Sequence, residues 1–160
     1  LTKPEVVSNT GPVIALAHLG QIDILRSVFD QILIPAAVRA EIRDETSLAA
    51  LNKADWIVVA KAKDTLAVQL LREELDAGES EAIILAQENQ AALILLDERA
   101  ATRKARSIGL QSIGTLGVLL IAKEKGFVTE LKPLLDNLQS GGFHMSDALY
   151  RQVLHSASEA

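Results

Sequence analysis

Ala92-Leu-Ile-Leu-Leu96, followed at once by Asp97, is the stretch that decides the fold. Its apolar residues run on without alternation, as in a strand buried on both faces, and such strands belong to parallel sheets covered by helices. Ligands of open parallel sheets gather beyond the C-terminal ends of the strands, so a carboxylate placed there is a candidate for chemistry. Val6-Val7-Ser8 ends on Asn9 in the same way. Gln31-Ile-Leu-Ile34, closing at Pro35, and the β-branched Trp56-Ile-Val-Val59 read as further strands, and residues 110–113 as the last.

Between these strands the apolar spacing is helical. Helices are predicted over residues 13–19, 22–29, 35–43, 47–52, 64–75, 80–89, 97–108, 118–125, 129–138 and 146–154. Thr10 is the expected cap of the helix that Pro12 opens, and Pro35 suits the first turn of the next. Asp76-Ala-Gly78 is expected to end the 64–75 helix. The alternation predicts an α/β fold, a parallel sheet of about four to five strands flanked by helices. One domain over 1–160 is expected, with an α/β core to about 126 and a helical extension over about 127–160.

Composition narrows the chemistry. The 160 residues suffice to bury roughly 70% of the unfolded chain's surface. Only five are aromatic, so the core is aliphatic and a stacking platform for successive bases is disfavoured. Without cysteine there are no disulfides, thiolate zinc sites or cysteine nucleophiles, which suits a cytoplasmic protein. A net charge of −5 argues against indiscriminate coating of nucleic acid or an anionic membrane. No run approaches the ~18 apolar residues of a membrane span. Residues 1–7 lack the basic-then-apolar plan of a signal peptide. Phosphate-binding glycine loops, dinucleotide fingerprints and serine-nucleophile elbows are absent.

What stands out is a set of oxygen-bearing side chains: Asn9 and Asp97 at strand exits, Glu41 and Glu81 on neighbouring helices. Folded into one crevice, they form an acidic pocket for Mg²⁺ or Mn²⁺, which prefer oxygen ligands. A cation there polarises a phosphoryl oxygen and activates water. Each residue also has an ordinary structural role available: Asp97 and Glu81 suit helix N-termini, and Glu41 suits a solvated face. Glu79, Asp76 and Glu98 are expected at the surface, with assistance to Glu81 the alternative for Glu79. Arg99 and Arg103 share a helix face within the basic run Arg99, Arg103, Lys104, Arg106, and guanidinium forks suit phosphate oxygens. Thr115 is expected to cap a helix or line the crevice. The three histidines are scattered and are assigned no ligand role.

Four ordered motifs resemble those of the PIN-domain nucleases, most closely a PIN-like family of small prokaryotic proteins. They are Val7-Ser-Asn-Thr-Gly-Pro-Val-Ile-Ala-Leu16, Ile34-Pro-Ala-Ala-Val-Arg-Ala-Glu-Ile42, Gly78-Glu-Ser-Glu-Ala-Ile-Ile-Leu-Ala86 and Leu95-Leu-Asp-Glu-Arg-Ala-Ala101. Gly114-Thr-Leu-Gly-Val-Leu-Leu120 and Gly142-Phe-His-Met-Ser146 are similar to that family's tail. The resemblance implies a Rossmann-like sheet and a Mg²⁺- or Mn²⁺-dependent ribonuclease. Glu41, Glu81 and Asp97 would be catalytic; Asn9 would join them as metal ligand, and Thr10, Arg99, Arg103 and Thr115 would contact substrate. It also implies an RNA substrate, a toxin role with a small antitoxin partner, and a homodimer. Asn9 stands where most active PIN nucleases carry Asp. An amide oxygen binds a hard cation but brings neither charge nor a proton-accepting site. A PIN fold of weakened catalysis that binds RNA or protein is therefore the alternative, and a hydrolase of other phosphoesters a third.

Overall fold

The computed structural model describes residues 5–159. Residues 1–4, the front of the segment read for a leader, and residue 160 lie outside it. Five parallel strands form one sheet: β1 (Val6–Ser8), β2 (Ile32–Pro35), β3 (Ile57–Ala60), β4 (Leu93–Leu95) and β5 (Ser112–Ile113), in the order β3-β2-β1-β4-β5. The chain moves outward from β1 to β3, then returns across the sheet to place β4 on the other side of β1. Those two central strands therefore flank the topological switch point, where an open parallel sheet leaves a crevice. Val6 pairs with Leu93 and Ser8 with Leu95, so Asn9 and Asp97 leave the sheet side by side.

Successive side chains of a strand face opposite ways, and both ways lead into packed core here. Val6, Ile32 and Leu95 join one apolar cluster, while Val7, Leu33 and Ile94 join another. That is why the strands read as unbroken apolar runs. The helices on the first face are α1 (Thr10–His18), α2 (Asp23–Phe29) and α8 (Thr115–Glu124), together with α9 (Lys132–Ser140) and α10 (Asp147–Ser156). α6 (Ala77–Glu88) and α7 (Arg99–Ser107) cover the second. α3 (Ala36–Glu41) and α4 (Glu45–Lys53) pack at the β2 side around Val13, Ile34, Val38 and Ile42. α5 (Thr65–Leu71) lies against α6. No helix among the described residues is long and apolar enough to cross a membrane.

Three local expectations are corrected. Asn9, not Thr10, occupies the N-cap of α1. Asp76 does not end the preceding helix, which stops at Leu71; it opens α6 as half of a capping box. Its carboxylate accepts the Glu79 N–H at 2.7 Å, and Glu79 in return accepts the Asp76 N–H at 3.1 Å. This reciprocal pairing satisfies two helix-end donors and starts the helix three residues earlier than the apolar period suggests. Finally, α3 ends at Glu41, because Ile42 turns to an extended conformation and drops into the core.

The late helices are tied down by more than apolar contact. Leu131, Leu135, Leu138, Val153 and Leu154 sit in the same cluster as Val6 and Leu16. Glu159 then clasps the start of α9, accepting the N–H groups of Leu131 at 2.7 Å and Lys132 at 3.0 Å and the Lys123 ammonium at 3.2 Å. Burial opposes ionisation of Glu159, but the two backbone donors and the ammonium outweigh it and hold its pKa below the usual glutamate value. A depressed carboxylate stabilises the fold at neutral pH and loses that contribution as pH falls through its folded-state pKa. Glu159→Gln should therefore cost about 2 kcal/mol at pH 7. In melts run at decreasing pH the gap from wild type should close below about pH 4.3, the ordinary glutamate value. A gap unchanged with pH would show that the clasp does not depend on charge.

Candidate active site

The first turn of α1 is the centre of the site. It begins directly where β1 leaves the sheet, so its backbone stands at the switch point. The Thr10 hydroxyl donates to Glu41 Oε2 at 2.6 Å. The other oxygen of Glu41 accepts the N–H of Gly78, at the start of α6, at 2.9 Å. On the opposite side Asp97 lies against Gly11, where an added Cβ would stand 3.1 Å from Oδ2. Asp97 is fixed by Thr115, whose N–H and hydroxyl each donate to one carboxylate oxygen at 2.7 Å. Thr115 is fully buried, so it holds Asp97 in place rather than facing the crevice. Glycine is required at both approaches: a Cβ on Gly78 would meet Glu41 Oε1 at 2.6 Å, and one on Gly114 would meet Asp97 Oδ1 at 2.7 Å.

Asn9 completes this arrangement. It is 6% exposed, and its side-chain oxygen has no hydrogen-bond partner among the described residues. A buried unpaired oxygen is costly. One that caps no helix donor, beside the strand that delivers Asp97, has the chemistry of a waiting ligand.

Glu81 is placed differently. It is 9% exposed, and both oxygens are engaged by backbone: Oε1 accepts the Ala37 N–H at 2.8 Å, and Oε2 the Ala62 N–H at 3.1 Å. It thereby pins the start of α3, the helix that carries Glu41, and the chain leaving β3. Each oxygen keeps a second lone pair, as those of Asp97 and Glu41 do. Its neighbour Glu79, expected at the surface, is 7% exposed. Burial raises its pKa, and the charges of Asp76, Glu98 and Glu41 add to that rise against the Asp76 hydrogen bond. Glu79 and Glu98 thus belong to the same negative neighbourhood as Glu41.

Beyond Asp97 a crevice of about 1210 Å³ opens between α7, the start of α8 and the turn before α10. Arg99 and Arg103 line it as expected, joined by Arg106 and, from the late chain, His144 and Ser146. None of the three arginines pairs with a carboxylate within 4.0 Å among the described residues; the only ion pair from α7 is Lys104 with Glu74. Sequence spacing had already suggested Arg106's partners. His144 gave no such signal, because only the turn at Gly142, with φ +97°, swings it over the crevice from a distant segment.

The PIN-domain family profile (DUF3368) matches residues 5–159. The chain belongs to the PIN-domain family. No curated protein matches it. The five-stranded parallel sheet flanked by helices agrees with that membership, and PIN domains are nuclease-type folds that generally use divalent metals. Among the described residues no three acidic or histidine side chains converge as a ready metal cage. Magnesium, however, commonly binds through one or two carboxylates and keeps several waters. The orphaned Asn9 oxygen, with Asp97 and Glu41 on either side of the α1 turn, fits that sparse mode.

Two substitutions separate positioning from support in this PIN domain. Gly78→Ala gains up to about 1 kcal/mol of helix propensity but drives the Glu41 carboxylate from its seat. Loss of the Gly78 hydrogen bond to that charged acceptor offsets the gain, so the melting temperature should hold or fall slightly while divalent-cation binding followed by calorimetry weakens. Glu81→Ala strips a charged acceptor from two backbone donors and should cost about 3 kcal/mol in denaturant unfolding. If Glu81→Ala instead melted like wild type, the bracing role assigned to it would be wrong.

Proposed function

We propose that this PIN domain is a divalent-metal-dependent ribonuclease that draws an RNA strand along α7 and hydrolyses a phosphodiester beside Asp97. One observation carries the reading. In a chain of net charge −5, three arginines without carboxylate partners line the same crevice as Asp97. Among the described residues these exposed guanidinium groups have no carboxylate to share, and phosphate oxygens match their forked donors.

Within this reading Asn9, Glu41 and Asp97 hold the cation, and Glu81 keeps α3 and therefore Glu41 in position. A cation held there would supply Lewis-acid polarisation of the phosphoryl oxygen and a more acidic water. Thr115 locks both Asp97 oxygens to one orientation, so the carboxylate does not rotate away as substrate arrives. Arg99, Arg103 and Arg106 bind phosphates along the crevice and offset the charge that builds on the reacting group. Asn9 accepts no proton, so removal of the water proton falls to Asp97 or Glu41. Mg²⁺ and Mn²⁺ both suit this oxygen-only set. The toxin role and the small antitoxin partner rest on family resemblance alone.

A second reading has its own support. Both oxygens of Asp97 and of Glu41 already accept hydrogen bonds, and Asn9 brings no charge. A PIN fold that binds RNA with little catalysis is consistent with that.

Cleavage of a mixed, partly structured RNA panel in Mn²⁺ and then Mg²⁺ distinguishes the two. The nuclease reading expects cleavage that EDTA stops and that Asp97→Asn lowers at least a hundredfold, as loss of a group acting on transition-state charge does. Asn9→Asp should equal or exceed wild type. Arg103→Ala should weaken RNA binding with a shallower salt dependence. Binding indifferent to EDTA and to Asp97→Asn, without cleavage, would favour the binding module.

A further inference from the structure

A second cavity of about 480 Å³ lies between α1 and α9, on the other side of Phe143 from the arginine crevice. The two share Gly11, Gly142 and Phe143, so Phe143 stands at the boundary between them. Its character differs sharply from the crevice. Ile14, Ala15 and Leu19 form its apolar wall, and no arginine, lysine or carboxylate lines it. Two polar groups reach it. The Asn137 carboxamide, exposed at the rim, makes no side-chain hydrogen bond among the described residues. His18 has one ring nitrogen, Nε2, committed to Asp44 at 2.8 Å, which leaves Nδ1 for a ligand. An apolar slot with a partly buried aromatic ring and a free amide matches the requirements of a heterocycle that stacks and hydrogen-bonds on one edge.

We propose that this cavity receives one unstacked nucleobase of the strand whose phosphates lie along α7. The proposal rests on the nucleic-acid reading above and deepens it by giving one base of the strand a seat of its own. Continuity with the arginine crevice identifies the occupant: a chain holding its phosphates there passes Phe143, and its next base swings toward the apolar side. The Asn137 carboxamide offers both a donor and an acceptor to the edge of that base. Phe143 is set in place by its backbone N–H, which donates to the Leu138 carbonyl at 2.9 Å, and by the positive φ of Gly142. The ring itself is partly buried against the apolar cluster that holds Leu138 and Met145, which limits its motion when a base arrives.

Binding in EDTA, where no cleavage intervenes, tests this. The probes are a labelled mixed-sequence single-stranded oligoribonucleotide, its abasic counterpart of the same length, and the same sequence annealed as a duplex. Wild type should prefer the base-bearing single strand to the abasic one by roughly tenfold, the usual worth of one stacked base. That ratio should collapse toward unity in Asn137→Ala, whose side chain is exposed, and in Phe143→Leu, which keeps an apolar side chain against the core. Arg103→Ala should weaken both single strands alike and leave the ratio. Equal binding of the base-bearing and abasic strands by wild type would overturn the base pocket while leaving the phosphate crevice standing. So would a preference that survives both pocket variants, or tighter binding of the duplex. Binding of no RNA at all would overturn the nucleic-acid reading, and the pocket with it.

Discussion

The first turn of α1 lies between two carboxylates, and the closeness of their approach constrains everything around them. Asp97 can lie against that turn only because position 11 has no side chain, and it reaches Thr115 only because position 114 has none. Glu41 approaches from the other flank by hydrogen-bonding Thr10 and passing over Gly78. The parallel register of β1 and β4 delivers the two strand exits together. Move any of these contacts by the width of a methyl group and the carboxylates part.

Buried charge in this molecule divides into two kinds. Glu81 and Glu159 are saturated by backbone N–H donors and act as staples between segments remote in sequence. Such carboxylates strengthen the frame because each oxygen they bring inside meets at least one donor. Asn9 is the opposite case, a buried oxygen with nothing to accept. Glu79 is intermediate: one oxygen completes the α6 cap while its charge faces Glu41 and Glu98. Strain of this kind concentrates where a ligand is expected to relieve it. In this PIN domain the Asn9 oxygen stands at the exit of β1, while the hydroxyls of Ser47, Ser80 and Ser112 are likewise buried without a partner among the described residues.

The C-terminal helices do more than extend the core. By packing Leu131, Leu135 and Val153 into the cluster below β1, they hold the turn at Gly142 against the mouth of the crevice. Phe143 and His144 reach the site only through that turn. The Glu159 clasp fixes the start of α9 and thus the far wall of the second cavity. Late sequence therefore supplies one side of a site whose other side is built from the earliest strand.

Much of the architecture was legible in the chain. Unbroken apolar runs at 6–7, 32–34 and 93–96 point to a sheet buried on both faces, and helical spacing between them to parallel crossovers. Asn9 and Asp97 were placed correctly because strand exits are local features, and Arg99 and Arg103 because helix faces follow a fixed period. The hydrogen-bond partners of Thr10, Thr115, Glu79 and Glu81 and the place of His144 are not legible in the chain, since they depend on which backbone donor or cavity each meets across the fold. The Asp76–Glu79 capping box was visible as spacing but was overshadowed by the apolar period around it. Sequence by itself determined the layers, the strand ends and the supply of oxygen and guanidinium groups, because these follow from local periodicity and burial. Only the tertiary structure decided which carboxylates brace the frame and which face the crevice, because that turns on the few ångströms between a side-chain oxygen and a distant N–H.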